Sequence, residues 1–297
     1  MQHVRLGNSG LKVSRLCLGC MTYGDPAWRP WVLDEERARP FIREALEAGI
    51  DFFDSADIYS TGESERILGR ALRDFAQRED LVIATKAFFP MSDRPNACGL
   101  SRKHLLASVD ASLRRLGTDY LDLFVIHRFD PETPIEETCE TLDSLRHHGL
   151  VQFISMQSQY NLIVREDEED LVPLCREEGI ALTPWSPLAR GLLAGARSAG
   201  TLRTRTDEQV PRWYGGREEV ESTLGALEKL AAARGLPPAQ LALAWLLGRN
   251  GVAAPIVGLS RPHHLEDALA ALTLDLAEEE CATLEAPLTV RARTPRW

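Results

Sequence analysis

Short strand-like runs alternate with amphipathic helical stretches along most of this chain, and that alternation restricts the fold more than any other feature. Strand-like runs end near Gly19, Asp54, Lys86, His127, Gln157, Pro184 and Val257. Apolar residues recur at helical spacing over Glu35–Glu47, Ser64–Phe75, Ser101–Leu116, Ile135–His147, Arg165–Glu178 and Pro237–Leu247. Arg261–Leu272 reads as a last crossover helix and Ala277–Leu284 as a terminal one. Strand–helix alternation gives a parallel sheet covered by helices. Ahead of it, Val4-Arg5-Leu6 and Leu11-Lys12-Val13 flank Gly7-Asn8-Ser9-Gly10, which predicts a β-hairpin. No early strand is followed by GxGxxG, which speaks against a Rossmann domain. No Pro/Gly/Ser-rich linker divides the chain. The expected architecture is α/β: one βα-barrel domain over residues 1–297 with an N-terminal hairpin.

Four polar residues stand at or just past the ends of these strands. Asp54 closes Ile50-Asp51-Phe52-Phe53-Asp54, and Tyr59 follows in Ser55-Ala56-Asp57-Ile58-Tyr59. Lys86 closes Leu81-Val82-Ile83-Ala84-Thr85-Lys86, and His127 closes Leu121-Asp122-Leu123-Phe124-Val125-Ile126-His127. Parallel strands gather their C-terminal ends on one face, so a barrel would bring the four together. Singly, each has an ordinary structural reading as a helix cap, an ion-pair partner or a packing group. Together they form a proton-donating set, which points to an enzyme.

Bulk properties exclude several classes. The net charge of −10 and pI near 5.3 argue against a nucleic-acid or anionic-membrane partner. No apolar run approaches the ~20 residues that a membrane helix requires, and Met1-Gln2-His3-Val4-Arg5 has no apolar signal core. Six scattered cysteines fit a reducing cytoplasm. Cys17-Leu18-Gly19-Cys20 is a lone CxxC, read as a strand and the turn after it. No metal site is expected. The adjacent pair His263-His264 belongs to this reading, because helix neighbours diverge. The acidic run Glu166-Asp167-Glu168-Glu169-Asp170 is expected to open a helix. Arg291–Trp297 is expected to be a frayed basic tail.

The sequence resembles the aldo-keto reductases, of the bacterial type, from Arg5 to about Pro287. The resemblance is carried by Leu6-Gly7-Asn8-Ser9-Gly10-Leu11-Lys12-Val13-Ser14, Phe52-Phe53-Asp54-Ser55-Ala56-Asp57-Ile58-Tyr59 and Gly62-Glu63-Ser64-Glu65-Arg66-Ile67-Leu68-Gly69. It continues through Thr85-Lys86, Ile126-His127, Pro184-Trp185-Ser186-Pro187-Leu188-Ala189-Arg190-Gly191 and Pro255-Ile256-Val257-Gly258. It implies a TIM-type (β/α)8 barrel that reduces small-molecule aldehydes or ketones with NADPH, or with NADH as the alternative cofactor.

In that reading Tyr59 donates the proton. The phenol's ordinary pKa is about 10, and a nearby Lys86 ammonium is expected to lower it. Asp54 would hold Lys86, and His127 would orient the substrate oxygen. The resemblance places Trp185 against the nicotinamide and Gln157 on its carboxamide. It puts Ser186, Leu188 and Arg190 along the pyrophosphate, Ser260 and Arg261 at the 2′-phosphate, and His264 and Asp267 near the adenine. His264 stands where relatives often carry Arg, which leaves the NADPH preference open. Met21, Tyr23, Trp28 and Phe88 are the expected lining of an apolar or aromatic substrate pocket. The stretch Trp185–Gly216 is read as a lid loop.

One part of the pattern is missing. The family's fifth strand and fifth helix have no counterpart here. The helix Ile135–His147 leads straight into Gly149-Leu150-Val151-Gln152-Phe153-Ile154-Ser155-Met156-Gln157, which from Ser155 onward matches the sixth strand. Seven barrel-strand signals are legible, not eight. A βα unit of ~30 residues is expected to have been deleted near Leu145–Gly149. Strand number, shear and tilt are linked in a barrel, so such a loss would either reclose it or expose strand edges. It also gives the competing reading: a cofactor-binding relative that retains the four residues without turnover.

Overall fold

A computed structural model describes residues 1–146, 154–195 and 202–288. The deletion junction, the Gly149–Phe153 part of the following strand and the basic tail lie wholly or largely outside the described residues. The chain divides into two compact units. One comprises Met1, Cys17–Gln152 and Gly258–Ser260; the other comprises Gln2–Leu16, Phe153–Val257 and Arg261–Trp297.

The chain opens with the expected hairpin, which belongs to the second unit. Strands β1 (His3–Arg5) and β2 (Lys12–Ser14) pair antiparallel, with Val4 opposite Val13. The Asn8 amide donates to the Gly179 carbonyl at 2.8 Å. The Arg15 guanidinium donates to the carbonyls of Val252 (2.7 Å) and Leu247 (2.8 Å).

The first unit is built on parallel strands β3 (Cys17–Gly19), β4 (Phe52–Asp54), β5 (Val82–Ala87) and β6 (Leu123–Ile126), paired in that order. Gly19 lies opposite Asp54, Asp54 opposite Ala84, and Lys86 opposite Val125. Every residue of β3, β4 and β5 is buried, as expected of strands covered on both faces. Phe52 and Phe53 are completely buried, and each contributes about 1.5–3 kcal/mol by leaving water. Helices α1 (Glu35–Glu47), α2 (Glu63–Phe75), α3 (Arg102–Leu116) and α4 (Ile135–Arg146) alternate with the strands. The Asp34 carboxylate starts α1 by accepting from the Arg37 amide at 3.1 Å, and Ser101 starts α3 by accepting from His104 at 3.3 Å. α2 buries Ile67, Leu68, Ala71 and Leu72. A side chain at Gly69 would collide with the Leu116 carbonyl, so this glycine sets how closely α2 approaches α3. Cys17 lies in β3 and Cys20 in the turn after it, both buried thiols.

In the second unit β7 (Ser155–Met156) and β8 (Ala181–Leu182) pair in parallel, and β9 (Ile256–Val257) follows later. Its helices are α5 (Leu171–Glu177), α6 (Leu202–Thr206), α7 (Gln209–Tyr214), α8 (Glu218–Arg234), α9 (Pro238–Leu247), α10 (Pro262–Ala271) and α11 (Glu278–Glu285). Trp245 on α9 sits at the middle of its core, with the indole N–H donating to Glu285 at 2.7 Å.

Four features differ from the sequence reading. Helix α8 was not anticipated, although Val220, Leu224, Leu227 and Ala231 recur at helical spacing and are buried; Gly225 and the acidic start dilute the pattern. The expected helix Arg165–Glu178 is divided. Residues Glu166–Glu168 form a 3-10 turn, and Asp170 caps α5 through the Leu171 amide at 2.5 Å. The acidic run therefore precedes the helix, because a short aspartate competes for the backbone amides. The described part of the stretch Trp185–Gly216 is not an open loop. It holds a 3-10 segment (Ala189–Ala194), α6 and α7, and the buried Tyr214 hydroxyl accepts from Gln159 at 2.6 Å. The His263 and His264 rings do not diverge; their centroids are 4.7 Å apart. Among the described residues no three His, Cys, Asp or Glu side chains cluster to hold a metal, and no helix is long and apolar enough to cross a membrane.

Candidate active site

The first unit brings Asp54, Tyr59, Lys86 and His127 together at the C-terminal ends of β4, β5 and β6. The Lys86 ammonium is almost wholly buried and spends all three protons inside the site. It donates to Asp54 Oδ2 at 2.6 Å, to the Ser55 carbonyl at 2.6 Å and to the Tyr59 hydroxyl at 3.2 Å. One lone pair of the phenol oxygen is thereby occupied, and the phenol's own proton is left to be donated elsewhere. The His127 ring meets the Tyr59 ring edge-on at 5.8 Å, and buried His127 Nδ1 has no hydrogen-bond partner.

The backbone after Tyr59 is held in a rare conformation. Ser60 and Thr61 have φ of 48° and 52°, and Gly62 has 89°. Such strain persists where the surroundings over-determine the loop. At Gly62 a Cβ would stand 2.6 Å from Arg115 Cδ, so glycine is required there on both counts.

Electrostatics refine the expected roles. Burial alone would discharge Lys86, but Asp54 and then Tyr59 outweigh it and hold its pKa above the ordinary lysine value. For Tyr59 burial dominates and Lys86 offsets only part of it, so the phenol pKa is raised, not lowered as the sequence suggested. His127 is pushed well below the ordinary histidine value by burial, and further by Lys86 and Arg128. At neutral pH the site therefore holds a charged lysine, a protonated phenol and a neutral imidazole. That arrangement can donate one proton to an oxygen and stabilise the phenolate left behind.

Other expected residues fall in varied surroundings. Tyr23 is completely buried, and its hydroxyl has no hydrogen-bond partner. Met21, Trp28 and Phe88 are partly exposed, and Arg29 stacks 4.6 Å from the Trp28 ring. Phe89, which sequence reasoning passed over in favour of Phe88, meets the His127 ring edge-on at 5.0 Å. Phe129, two residues past His127, is 63% exposed. Asp57 was also missed: it is fully buried, and neither of its carboxyl oxygens accepts a well-formed hydrogen bond. A second carboxylate between Asp54 and Tyr59 was the available signal.

In the second unit Gln157 follows β7 and is partly exposed. Trp185 is half-buried and packs edge-on against Trp213 at 5.9 Å. Ser186 takes φ 52°, with its carbonyl accepting from Asn161 at 2.9 Å, and Leu188 packs on the core. Arg190 is buried in an ion pair with Asp207 at 2.7 Å, so its charge is already matched. Arg261 is the exposed N-cap position of α10, Ser260 and His264 are partly buried, and Asp267 accepts from Gln240 at 2.8 Å.

The profile of the Aldo/keto reductase family matches residues 15–156 and 148–288 of this chain. The chain belongs to the aldo/keto reductase family. Versiconal hemiacetal acetate reductase of Aspergillus parasiticus is 39% identical, with 99% of each chain covered. A putative aryl-alcohol dehydrogenase of Schizosaccharomyces pombe is 39% identical over 95% of this chain and 94% of its own. An aldo-keto reductase of Alternaria alternata is 38% identical over 95% and 90%. This aldo/keto reductase is accordingly an NAD(P)H-dependent oxidoreductase of small carbonyl compounds, and its fold class is the family's (β/α)8 barrel. The two matched stretches overlap over 148–156, and the alignment with the Aspergillus parasiticus enzyme spans 342 positions although this chain has 297 residues.

The second unit contains groups that suit a nicotinamide. Ser158 Oγ, next to Gln157 at the end of β7, is buried without a hydrogen-bond partner, as a carboxamide site requires. Trp185 offers a partly exposed ring. Arg190 suits a phosphate less well while Asp207 holds it.

Proposed function

We propose that this aldo/keto reductase reduces aldehydes or ketones to alcohols with NADPH as cofactor, NADH being the alternative, and that aromatic aldehydes are its substrate class. We also take residues 1–297 to work as one domain. The observation that carries the reading is the Lys86 ammonium bound at once to Asp54, the Ser55 carbonyl and the Tyr59 hydroxyl. When bound, the nicotinamide supplies the hydride. Tyr59 gives its proton to the substrate oxygen, Lys86 stabilises the phenolate, Asp54 fixes Lys86, and neutral His127 directs the carbonyl. Gln157 and Trp185 would hold the nicotinamide, with Ser186, Leu188 and Arg190 along the pyrophosphate. Ser260, Arg261, His264 and Asp267 would serve the adenosine end. Trp28, Phe88, Phe89 and Phe129 supply aromatic surface, and the printed name of the Schizosaccharomyces pombe relative points to aryl substrates.

The test is loss of nicotinamide absorbance with 4-nitrobenzaldehyde, comparing the wild type with Tyr59→Phe. Turnover confined to the wild type supports the reading; equal turnover in both defeats it.

A second reading is favoured by two observations. The family profile matches residues 148–156 twice, and the alignment with a relative is longer than this chain. Both accord with loss of the fifth βα unit, and that loss is the ground for reading the chain as one that binds cofactor without turnover. Quenching of Trp fluorescence by NADPH, with no product from any carbonyl, would favour it over the first.

A further inference from the structure

Behind the Lys86–Tyr59 pair the first unit holds charged groups that the proposed proton transfer does not use. Asp57 lies in the same turn as Tyr59, and its amide donates to the Lys86 carbonyl at 3.1 Å. Its side chain is fully buried, and neither carboxyl oxygen accepts a well-formed hydrogen bond. The charged groups that act on it are Glu65 from α2, Arg115 from α3 and Lys86 from β5. Glu65 is itself fully buried and committed, accepting from Thr85 Oγ1 at 2.6 Å and from Arg115 Nε at 2.5 Å. Lys86 is committed to Asp54.

The charge balance of this cluster is uneven. Asp54 matches Lys86 and Glu65 matches Arg115, so Asp57 is a third carboxyl with no cation of its own. An isolated buried carboxylate is far costlier than a protonated one. Burial first, then the Glu65 charge, push the Asp57 carboxyl up to about 7, against the adjacent Ile58 amide and the Arg115 and Lys86 charges.

We propose that Asp57 is a positioning residue whose proton sets how readily Tyr59 gives up its own. This rests on the proton-donor reading above. While Asp57 is neutral, Lys86 is free to stabilise the Tyr59 phenolate. Once Asp57 ionises, its negative charge beside Lys86 opposes a second negative charge on Tyr59, and reduction slows.

The experiment is the pH profile of kcat/KM for aldehyde reduction, together with infrared titration of the protonated-carboxyl band. In the wild type the rate should fall through neutral pH as the added negative charge opposes the phenolate. Asp57→Asn, which is permanently neutral, should stay on the acid-side plateau and lack the band. Glu65→Gln removes the opposing like charge and should move both transitions to lower pH. An inflection that persists in Asp57→Asn, or no carboxyl band titrating near neutrality in the wild type, overturns the proposal. If Asp57→Asn fails to fold, the band and its shift in Glu65→Gln decide. If no carbonyl is turned over at any pH, the underlying reading fails, and the infrared titration alone decides whether Asp57 carries the proton.

Discussion

Lys86 donates to the Tyr59 hydroxyl over 3.2 Å, while its other two protons go to Asp54 and to the Ser55 carbonyl. The phenol accepts from Lys86 and keeps its own proton to give. Replacing it by Phe keeps the ring and removes that proton. The expected result is a fall in kcat of about 10²–10⁴, the usual contribution of a positioned general acid, with NADPH quenching of Trp fluorescence unchanged. A variant with wild-type kcat would remove Tyr59 from the mechanism.

Lys86→Met should damage the fold as well as the rate. It leaves the Asp54 carboxylate, 3% exposed, without its cation. Breaking one side of a buried pair costs about 3–5 kcal/mol. Urea unfolding of Lys86→Met and of Lys86→Met/Asp54→Leu separates the effects: the double variant should recover much of the loss. No recovery would mean that the lysine stabilises through packing.

The His127 imidazole gives a signed pH effect on stability. Its pKa in the folded protein lies well below the ordinary value of 6.5. As pH falls below about 6.5 the unfolded chain takes up the proton first, so stability drops there. His127→Gln should flatten the acid side of a plot of unfolding free energy against pH. An unchanged slope would show that another group causes the acid loss.

The strands and most helices could be read from the sequence because their apolar spacing is regular and their ends carry caps such as Asp34 and Ser101. The Asp54–Tyr59–Lys86–His127 grouping was legible because strand ends in a parallel sheet share a face. Helix α8 was lost in a polar stretch, although Val220, Leu224 and Leu227 marked it. What spacing cannot encode is which side chain wins a contact. Phe89 rather than Phe88 meets His127, and Asp207 takes Arg190.

The contact between Phe89 and His127, 5.0 Å between ring centroids, should affect substrate binding more than chemistry. Aromatic pairs of this kind contribute about 0.5–1.5 kcal/mol beyond burial. Phe89→Leu should therefore raise KM for aromatic aldehydes several-fold and change KM for short aliphatic ones little. Equal changes for both would place Phe89 in a purely structural role.

Strand β6 pairs with β5 on one side and, among the described residues, with no strand on the other. An uncovered strand edge presents free amides and carbonyls and promotes association. A missing fifth unit would account for such an edge, since that strand would follow α4 in the chain. The expectation is that the purified protein self-associates in light scattering at micromolar concentration. Inserting the aligned extra segment of the Aspergillus parasiticus enzyme between α4 and β7 should give a monodisperse protein with higher Tm and higher kcat. If the graft instead destabilises a chain that is already monomeric and active, the present sequence forms a working fold without a fifth unit.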